Sequence, residues 1–499
     1  YATLAANTTG TQNVAVGTYA LDANTTGSLH TAIGYGALGA NTTADSNTTV
    51  GYESMKSTTT GHSNVALGLQ ALRDNTTGTS NVAVGNQALF ANTTANHNTA
   101  VGASALAANT TGWACTAVGK GALAANTEGE YNVAVGHAAL DAITTGDRCT
   151  AVGTYSLGAN TGSYNTAVGM YALTANVAAQ YNTAVGYNSL GLNTSGEYNT
   201  AIGYLALEDN TTANYGTAVG KSALGNNTTG DGNTACGYGA LLLNTTGTAN
   251  TALGTNSLEK ITTSSHCTSI GYQSMYENTG ANNTALGSNA LHDNTTGTRN
   301  TAVGMNTLDA NTTGDDNTSI GQGSLTVATT ASNNTAVGSQ ALHVNTTGGN
   351  NVAVGTSALD ANTTGEWNTA IGKSSLSAST TAGYNTAVGG SALGHTTTGG
   401  GNVAVGYISM QYNTTGEANT AVGDTTLQDN TTGDNNTALG RYALAKNTTA
   451  DDNTALGRSA LYNNTTASNN TAVGYFALKD NTTGTQNVAI GSQASDAST

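Results

Sequence analysis

A five-residue motif, N-[TV]-A-[VIL]-G, recurs along the whole chain and constrains its fold more than any other feature. If the first residue of the motif is position 0, that position falls first at residue 13, last at residue 487, and 29 times in all. Of the 28 intervals between copies, 26 are 17 residues long and two are 16 residues long. A short, fixed period indicates stacked structural units that share one continuous core.

Several columns of the repeat are nearly constant. Position +4 is Gly in every copy, from Gly17 to Gly491, and position +8 is Leu or Met in every copy but the last. Position +2 is Ala with three exceptions, and position +3 is Val, Ile or Leu except at Cys236. Position +7 is always small, and positions +11 to +14 commonly spell N-T-T-G, as in Asn24 to Gly27.

The length of the repeat predicts an all-β fold. Seventeen residues are too few for a helical hairpin, whose repeats need about 33 residues. The motif is a short β-branched run closed by Gly, which is typical of a strand, and N-T-T-G is typical of a corner. We therefore predict two strands and two corners per coil of a parallel β-solenoid, or β-roll. Coils stacked at about 4.8 Å would make 29 coils roughly 140 Å long.

The two shorter intervals support this prediction, because both lose their residue in the corner. These corners have the sequences ANTGSY (159–164) and ENTGAN (277–282). Corners tolerate deletions, whereas stacked strands do not. We expect residues 1–499 to form one continuous repeat array that begins and ends within a coil, and we interpret the chain as a processed or excerpted stretch of a longer protein.

The strand alternation predicts which side chains form the core. If +1 and +3 point into the coil, +2 points outward. The core would then consist mainly of the +3 aliphatic residue and the +8 Leu, which is thin for 17 ordered residues. The outward Ala column would pack against a second rod in a bundle. The alternative is that +2 faces inward against a nearby wall of the coil.

The composition excludes several classes of function. Only 8% of the residues are charged, the net charge is −16, and no cluster of Lys or Arg occurs, so nucleic acid and anionic membranes have no electrostatic attraction for the chain. No run of about 20 apolar residues occurs, which predicts no membrane insertion within this segment.

We expect no enzyme, no cofactor and no metal site. Cys115, Cys149 and Cys267 occupy position 0, and Cys236 occupies position +3, which favours a structural role over a disulfide or metal site. His292 and His343 share position +9 but lie three coils apart, about 14 Å. No Ser/His/Asp arrangement recurs, and the acidic residues are too sporadic for a calcium-binding repeat.

The corner Asn raises the possibility of N-linked glycosylation. Nineteen corner copies have the acceptor sequence N-x-[ST]. The competing explanation is that Asn favours corners and that a stacked Asn column satisfies its own amides. The candidate acceptors are Asn7, Asn24, Asn75, Asn109, Asn244 and Asn481.

Aromatic residues are concentrated at the variable positions, where they could contact sugars or protein partners. No cluster stands out from the sequence, and we predict no binding site among them. These residues include Tyr19, Tyr35, Tyr131, Tyr164, Tyr181, Tyr198, Trp113 and Trp367.

The motif resembles the head repeats of trimeric autotransporter adhesins of the YadA type, which have a small polar residue followed by V-A-I-G in each coil. Residues 13–17 (NVAVG) and 487–491 (NVAIG) are close matches. The resemblance implies a left-handed parallel β-roll, three chains around one axis, and a surface that binds host matrix or cells. The repeats also look like shaft segments of phage and other viral fibres. The N-T-T-G corner departs from the adhesin motif, and no stalk, neck or anchor occurs in this segment.

We predict the structural shaft of an extracellular, cell-surface or virion-associated fibre with an adhesive or spacer role, self-associating as a homotrimer. Cell-surface glycans or proteins are possible partners. The first alternative is an adhesin head domain that binds a host or matrix ligand. The second is an ice-binding β-solenoid, because Thr recurs in register at positions +1, +12 and +13.

Overall fold

The computed structural model describes residues 3–495, and within that range it contains strands and turns but no helix. The predicted domain of residues 1–499 also includes residues 1–2 and 496–499, which lie outside the described residues. The chain divides into two compact units, Tyr1–Asn250 and Thr251–Thr499. Each unit is a parallel β-solenoid built from one three-residue strand per repeat, at positions +1 to +3.

The first unit holds β1 to β14, and each strand pairs in parallel with the next, like residue with like. In chain order these strands are Val14–Val16, Thr31–Ile33, Thr48–Val50, Val65–Leu67, Val82–Val84, Thr99–Val101, Thr116–Val118, Val133–Val135, Thr150–Val152, Thr166–Val168, Thr183–Val185, Thr200–Ile202, Thr217–Val219 and Thr234–Cys236.

The second unit holds β15 to β29, which pair in the same way. In chain order they are Thr251–Leu253, Thr268–Ile270, Thr284–Leu286, Thr301–Val303, Thr318–Ile320, Thr335–Val337, Val352–Val354, Thr369–Ile371, Thr386–Val388, Val403–Val405, Thr420–Val422, Thr437–Leu439, Thr454–Leu456, Thr471–Val473 and Val488–Ile490. The parallel β-solenoid with 17-residue spacing is therefore confirmed.

The prediction of two strands per coil is wrong. The segment after the strand turns repeatedly, and its residues at +6 and +8 adopt left-handed backbone, as at Tyr19 (φ 59°) and Leu21 (φ 51°). A left-handed residue cannot continue an extended strand. Leu rarely adopts this conformation, at a cost of about 1–2 kcal/mol. Here the +8 side chain is fully buried, which offsets that cost.

The two 16-residue repeats keep their strands in register, as predicted. Thr166 pairs with Thr150 across the first of them, and Thr284 pairs with Thr268 across the second. The missing residue is absorbed in the corner, where Asn160 Nδ2 donates to the Gly162 carbonyl two residues ahead, 2.8 Å away. In 17-residue coils the equivalent bond spans three residues, as from Asn176 to Ala179. Length changes are thus confined to corners.

The predicted direction of the strand side chains is also wrong: position +2 faces inward and position +3 faces outward. The +2 residue is buried in 28 of the 29 strands, whereas the +3 residue is exposed in 16 and half-buried in the other 13. The interior is narrow, and the +2 side chain meets the small +7 side chain across it. Where +2 is polar, +7 supplies its partner: Thr49 Oγ1 donates to Ser54 Oγ over 2.6 Å. Ala is therefore selected by the coil's own interior, as in the alternative stated above.

Two columns of buried Asn complete the interior. At position 0, Asn64 donates from Nδ2 to the Gly78 carbonyl (2.9 Å), and its Oδ1 accepts the Asn81 backbone N–H (2.9 Å). At position +11, where two successive coils both have Asn, the Nδ2 of the later Asn donates to the Oδ1 of the earlier one, as from Asn109 to Asn92 (3.0 Å). A buried amide is stable only when its groups are paired, and stacking provides the pairs where Asn follows Asn in the column. Where the next +11 residue is not Asn, as after Asn126 and Asn244, the Oδ1 of the last Asn has no partner among the described residues.

The invariant Gly at +4 has a steric cause. Its φ is positive throughout, for example +137° at Gly186, and a Cβ there would lie 2.2 Å from the Gly203 carbonyl oxygen in the next coil. Side chains do not tolerate such an approach to backbone, so only Gly fits at the end of each strand.

Candidate functional surface

The most regular exposed feature is the outer strand face, which we define as the side chains at positions +1 and +3 of the strands. Position +1 is Thr or Val, mostly Thr, and position +3 is aliphatic except at Cys236, so the face has one apolar column beside a column of β-branched side chains. Val16 is 56% exposed and Ile33 is 37% exposed. Large contiguous apolar surfaces are uncommon on monomeric soluble proteins and mark interaction sites.

A tyrosine ladder lies immediately before the strands of the first unit, at position −1. It consists of Tyr164, Tyr181, Tyr198 and Tyr215, whose successive ring centroids are 5.1, 5.0 and 5.5 Å apart with interplanar angles of 7–11°. Each inner ring is covered on both faces by its neighbours, so Tyr198, 49% exposed, presents mainly its edge. Stacked rings of this kind add about 0.5–1.5 kcal/mol per pair.

Arg148 extends the ladder toward the N-terminus. Its guanidinium lies 5.3 Å from the ring centroid of Tyr131 and 5.7 Å from that of Tyr164. Its Nη1 also donates to the Tyr164 hydroxyl over 3.2 Å. Trp113 packs edge-on against Tyr131 at 4.7 Å. A cation held between aromatic rings contributes about 0.5–1 kcal/mol at an exposed site.

A second aromatic row follows the same strands at positions +5 and +6. Tyr155 stacks on Tyr171 at 5.8 Å, and Tyr187 stacks on Tyr204 at 5.4 Å. Tyr171 and Tyr187 meet edge to face at 6.2 Å. The outer strand face of this part of the first unit is therefore bordered by aromatic side chains on both sides.

Sequence reasoning missed the ladder, although the signal was present. Tyr164, Tyr181, Tyr198 and Tyr215 stand at three successive intervals of 17 residues, and a solenoid places one interval directly over another. The remaining aromatic candidates are more scattered. Tyr19 meets Tyr35 edge to face at 5.7 Å, and Trp367 is exposed in the second unit.

The predicted glycosylation acceptors lie mostly inside the coils. Asn24, Asn75, Asn109, Asn244 and Asn481 are all buried, and the corner Asn of the first partial coil, Asn7, is half-buried. Each donates from Nδ2 to the carbonyl three residues ahead. Attachment of a sugar replaces one of the two Nδ2 hydrogens and needs space that the buried side chains do not have in a folded coil. Glycosylation stays a prediction, and at the five buried residues it would have to precede closure of the coil.

The cysteines at position 0 replace the buried Asn. Cys115 and Cys149 are buried free thiols whose Sγ atoms lie 3.3 Å from the Gly129 and Gly162 carbonyl oxygens. Burial raises the pKa of each of these two thiols to about 11. Cys267 occupies the same environment, with its Sγ 3.3 Å from the Gly280 carbonyl oxygen. A buried thiol of raised pKa is a poor nucleophile and metal ligand.

The two histidines that share position +9 do not belong to a cluster of possible metal ligands in the described part of the chain. His292 Nδ1 contacts Asp293 at 2.6 Å, and His343 Nδ1 lies 2.9 Å from the Gly323 carbonyl oxygen. Within residues 3–495, no group of three or more His, Cys, Asp or Glu side chains could hold a metal ion.

The Thr columns behave differently from one another. The +12 hydroxyl donates to the +12 carbonyl of the next coil, as from Thr25 to Thr42 (2.9 Å), whereas the +13 Thr is exposed. Position +1 is half-buried in nearly every strand. Only one of these three columns therefore presents its hydroxyls fully to water.

Comparisons with protein-family models and with curated proteins give no match for this chain. No helix among the described residues is long and apolar enough to cross a membrane.

Proposed function

We propose that this chain is the structural shaft of an extracellular or virion-associated fibre, with an adhesive or spacer role, and that it self-associates as a homotrimer through the outer strand face. The observation that carries the proposal is the exposed aliphatic column at position +3. It recurs in both units and has no partner within the coil that carries it.

The energetics support self-association. Burial of a Val, Leu or Ile side chain contributes about 1.5–3 kcal/mol. Inside each coil the large apolar contribution comes mainly from the +8 Leu, because the +2 and +7 side chains are small. A partner that covered the +3 column would add a second aliphatic contribution per coil. Repeated over many coils, this would be a large gain for a thin-cored fold.

The test measures self-association directly. In sedimentation velocity, we expect the wild-type chain to sediment at three times the mass of one chain. The double variant Val168→Glu/Val185→Glu places two charges on adjacent coils of the outer strand face, and we expect it to raise the dissociation constant at least 100-fold. Burial of unpaired carboxylates at an interface is strongly unfavourable.

The matched control is Thr111→Glu, which adds a charge at the exposed position +13. Glu128 already occupies that position one coil later, so the substitution is compatible with the fold. We expect this variant to assemble like the wild type. A monomeric wild type, or unchanged assembly of the double variant, would refute self-association through this face. Electron microscopy of the assembled protein then distinguishes a uniform filament from a compact head.

A further inference from the structure

A groove lies on the surface of the second unit where three positions lack side chains. Its floor includes Gly383, Gly400 and Gly401, and its volume is about 650 Å³. Tyr384 lines it, and Glu366 and Glu417 stand at its two ends. The two carboxylates are three coils apart, which corresponds to about 14 Å along the stack.

The groove interrupts the column at position −1, which forms the tyrosine ladder in the first unit. In the second unit this column reads Trp367, Tyr384, Gly401 and Ala418 in successive coils. Tyr384 is 72% exposed, and Gly401 places no side chain over the ring from the following coil. Where the ladder continues, a neighbouring ring covers that face. At Tyr384 the face is open to a ligand.

The groove also leaves backbone donors open. In several other coils, a Ser, Asp or Asn side chain at position +15 accepts the +15 N–H of the preceding coil; the Glu417 N–H, for example, donates to Asp434 Oδ1 over 2.7 Å. Gly383 and Gly400 have no such oxygen. The N–H groups of Glu366 and Gly383 accordingly have no hydrogen-bond partner among residues 3–495. A ligand oxygen can take the place of the absent side chain.

The remaining polar groups select the chemical class of the ligand. Neither the Glu366 nor the Glu417 carboxylate forms an ion pair within the described part of the chain, so both are available as acceptors. The exposed Thr364, Thr381 and Thr398 add a row of hydroxyls along one side. A ligand that carries many hydroxyls can both accept from the N–H groups and donate to the carboxylates. One that stacks on an open tyrosine must also have an apolar ring face.

We propose that this groove binds a short oligosaccharide that is neutral or N-acetylated, with one sugar ring stacked on Tyr384 where the next rung of the ladder is missing. Sulfated or carboxylated sugars are excluded by the two carboxylates and by the net charge of −16. This proposal names a ligand class for the adhesive role, and in that respect it rests on the proposed function. It does not depend on self-association, because a single chain contains the whole groove.

The experiment uses the full chain and the trimer of N-acetylglucosamine, with a cello-oligosaccharide of three glucose units as the second neutral probe. Saturation-transfer NMR and titration calorimetry measure binding, and a sulfated disaccharide from heparin is the anionic comparison. We expect millimolar or tighter binding of at least one neutral probe and none of the sulfated one. Failure of both neutral probes to bind, or equal binding of the sulfated sugar, would overturn the proposal.

Two variants locate the site. Tyr384→Ala removes the ring; Ala is already found in this column at Ala114, Ala249 and Ala418, so the coil accepts it. Gly401→Tyr fills the groove by completing the ladder; a Cβ at this residue would meet only Ala418 backbone, at 3.8 Å. We expect each to weaken binding at least tenfold. Tyr198→Ala, in a closed part of the ladder, should leave it unchanged.

Wild-type affinity in both groove variants would refute the site even if the sugar binds elsewhere. Sedimentation of the same samples reports self-association separately. Loss of sugar binding with intact assembly is the result expected for the variants, and it shows that the groove and the outer strand face act independently. A monomeric chain that still binds the sugar would refute the proposed homotrimer and support the proposed sugar site.

Discussion

Asn244 donates a hydrogen bond from Nδ2 to Oδ1 of Asn227, the residue one coil earlier, over 2.7 Å. Asn227 in turn donates to Asn210 Oδ1 over 3.2 Å and to the Gly230 carbonyl over 3.2 Å. The Asn227 amide therefore joins the coil before it to the coil after it. Because all three residues are buried, no water can replace a lost partner.

We predict that Asn227→Ala destabilises the neighbouring coils by about 1–3 kcal/mol, because it leaves the buried Asn210 Oδ1 and one Nδ2 hydrogen of Asn244 unpaired. The adjacent Asn226 is exposed and provides the matched control: Asn226→Ala should change stability by less than about 0.5 kcal/mol. Hydrogen exchange at the flanking strands measures both effects locally, which suits a repeat protein better than one global transition. Equal protection in the two variants would argue against the ladder.

The strand-terminal Gly should be the least replaceable residue in the coil. Gly186→Ala places a Cβ 2.2 Å from the backbone oxygen of Gly203, so we expect a loss of about 3 kcal/mol or more and local opening of the stack. Gly121→Ala is the control, because a Cβ there meets nothing within 4 Å and Ala138 occupies the same position one coil later. Thermal unfolding monitored by circular dichroism compares the two; similar midpoints would contradict the steric explanation.

His30 should make the first coils sensitive to acid. It replaces Asn at position 0, is almost fully buried, and contacts the Ala44 carbonyl through Nε2 at 2.6 Å. Burial lowers the pKa of His30 below its ordinary value. The unfolded chain therefore binds a proton more readily than the folded one. The stability that neutral His30 contributes is fully present above about pH 6.5, the pKa of an unfolded His. It is lost as the pH falls from there toward the pKa of His30 in the folded state.

Hydrogen exchange of the Thr31–Ile33 and Thr48–Val50 strands between pH 7 and pH 5 would detect this loss after correction for intrinsic exchange rates. The variant His30→Asn restores the usual residue of the column, and its protection should not vary in the same range. Persistence of the pH dependence in the variant would assign it to another group.

The cysteines should differ sharply in reactivity. With a pKa of about 11, the Cys115 and Cys149 thiols carry roughly a thousandth of their population as thiolate at pH 8. Cys236 lies on the outer strand face and is half-buried. An aromatic disulfide reagent should therefore label Cys236 first in the folded protein, and Cys236→Val should remove the fast phase. Labelling of Cys115 at the rate of Cys236 would contradict the burial of position 0.

The repeat by itself determined the period, the place of the strand and the place where a residue can be deleted. These follow from local chemistry: Thr, Val and Ile favour extended backbone, and Gly and Asn favour turns. The repetition of one residue type at positions such as +4 and +11 also indicated that identical residues contact each other in successive coils. The invariant glycine column can be recognised from the sequence alone. Its cause, a backbone oxygen 2.2 Å from the position of a Cβ at Gly186, is visible only in the structure.

Only the tertiary structure decided which face of the strand is inside. Alternation places +1 and +3 opposite to +2, but it does not state which set faces the core. The decision comes from the width of the coil. The left-handed residues at +6 and +8 fold the chain back so tightly that Ala66 fits opposite the small +7 residue Ala71, while Leu67 must lie outside. The same stacking turned four tyrosines into a ladder and three glycines into a groove, because side chains far apart in sequence share a column only once the coils are built.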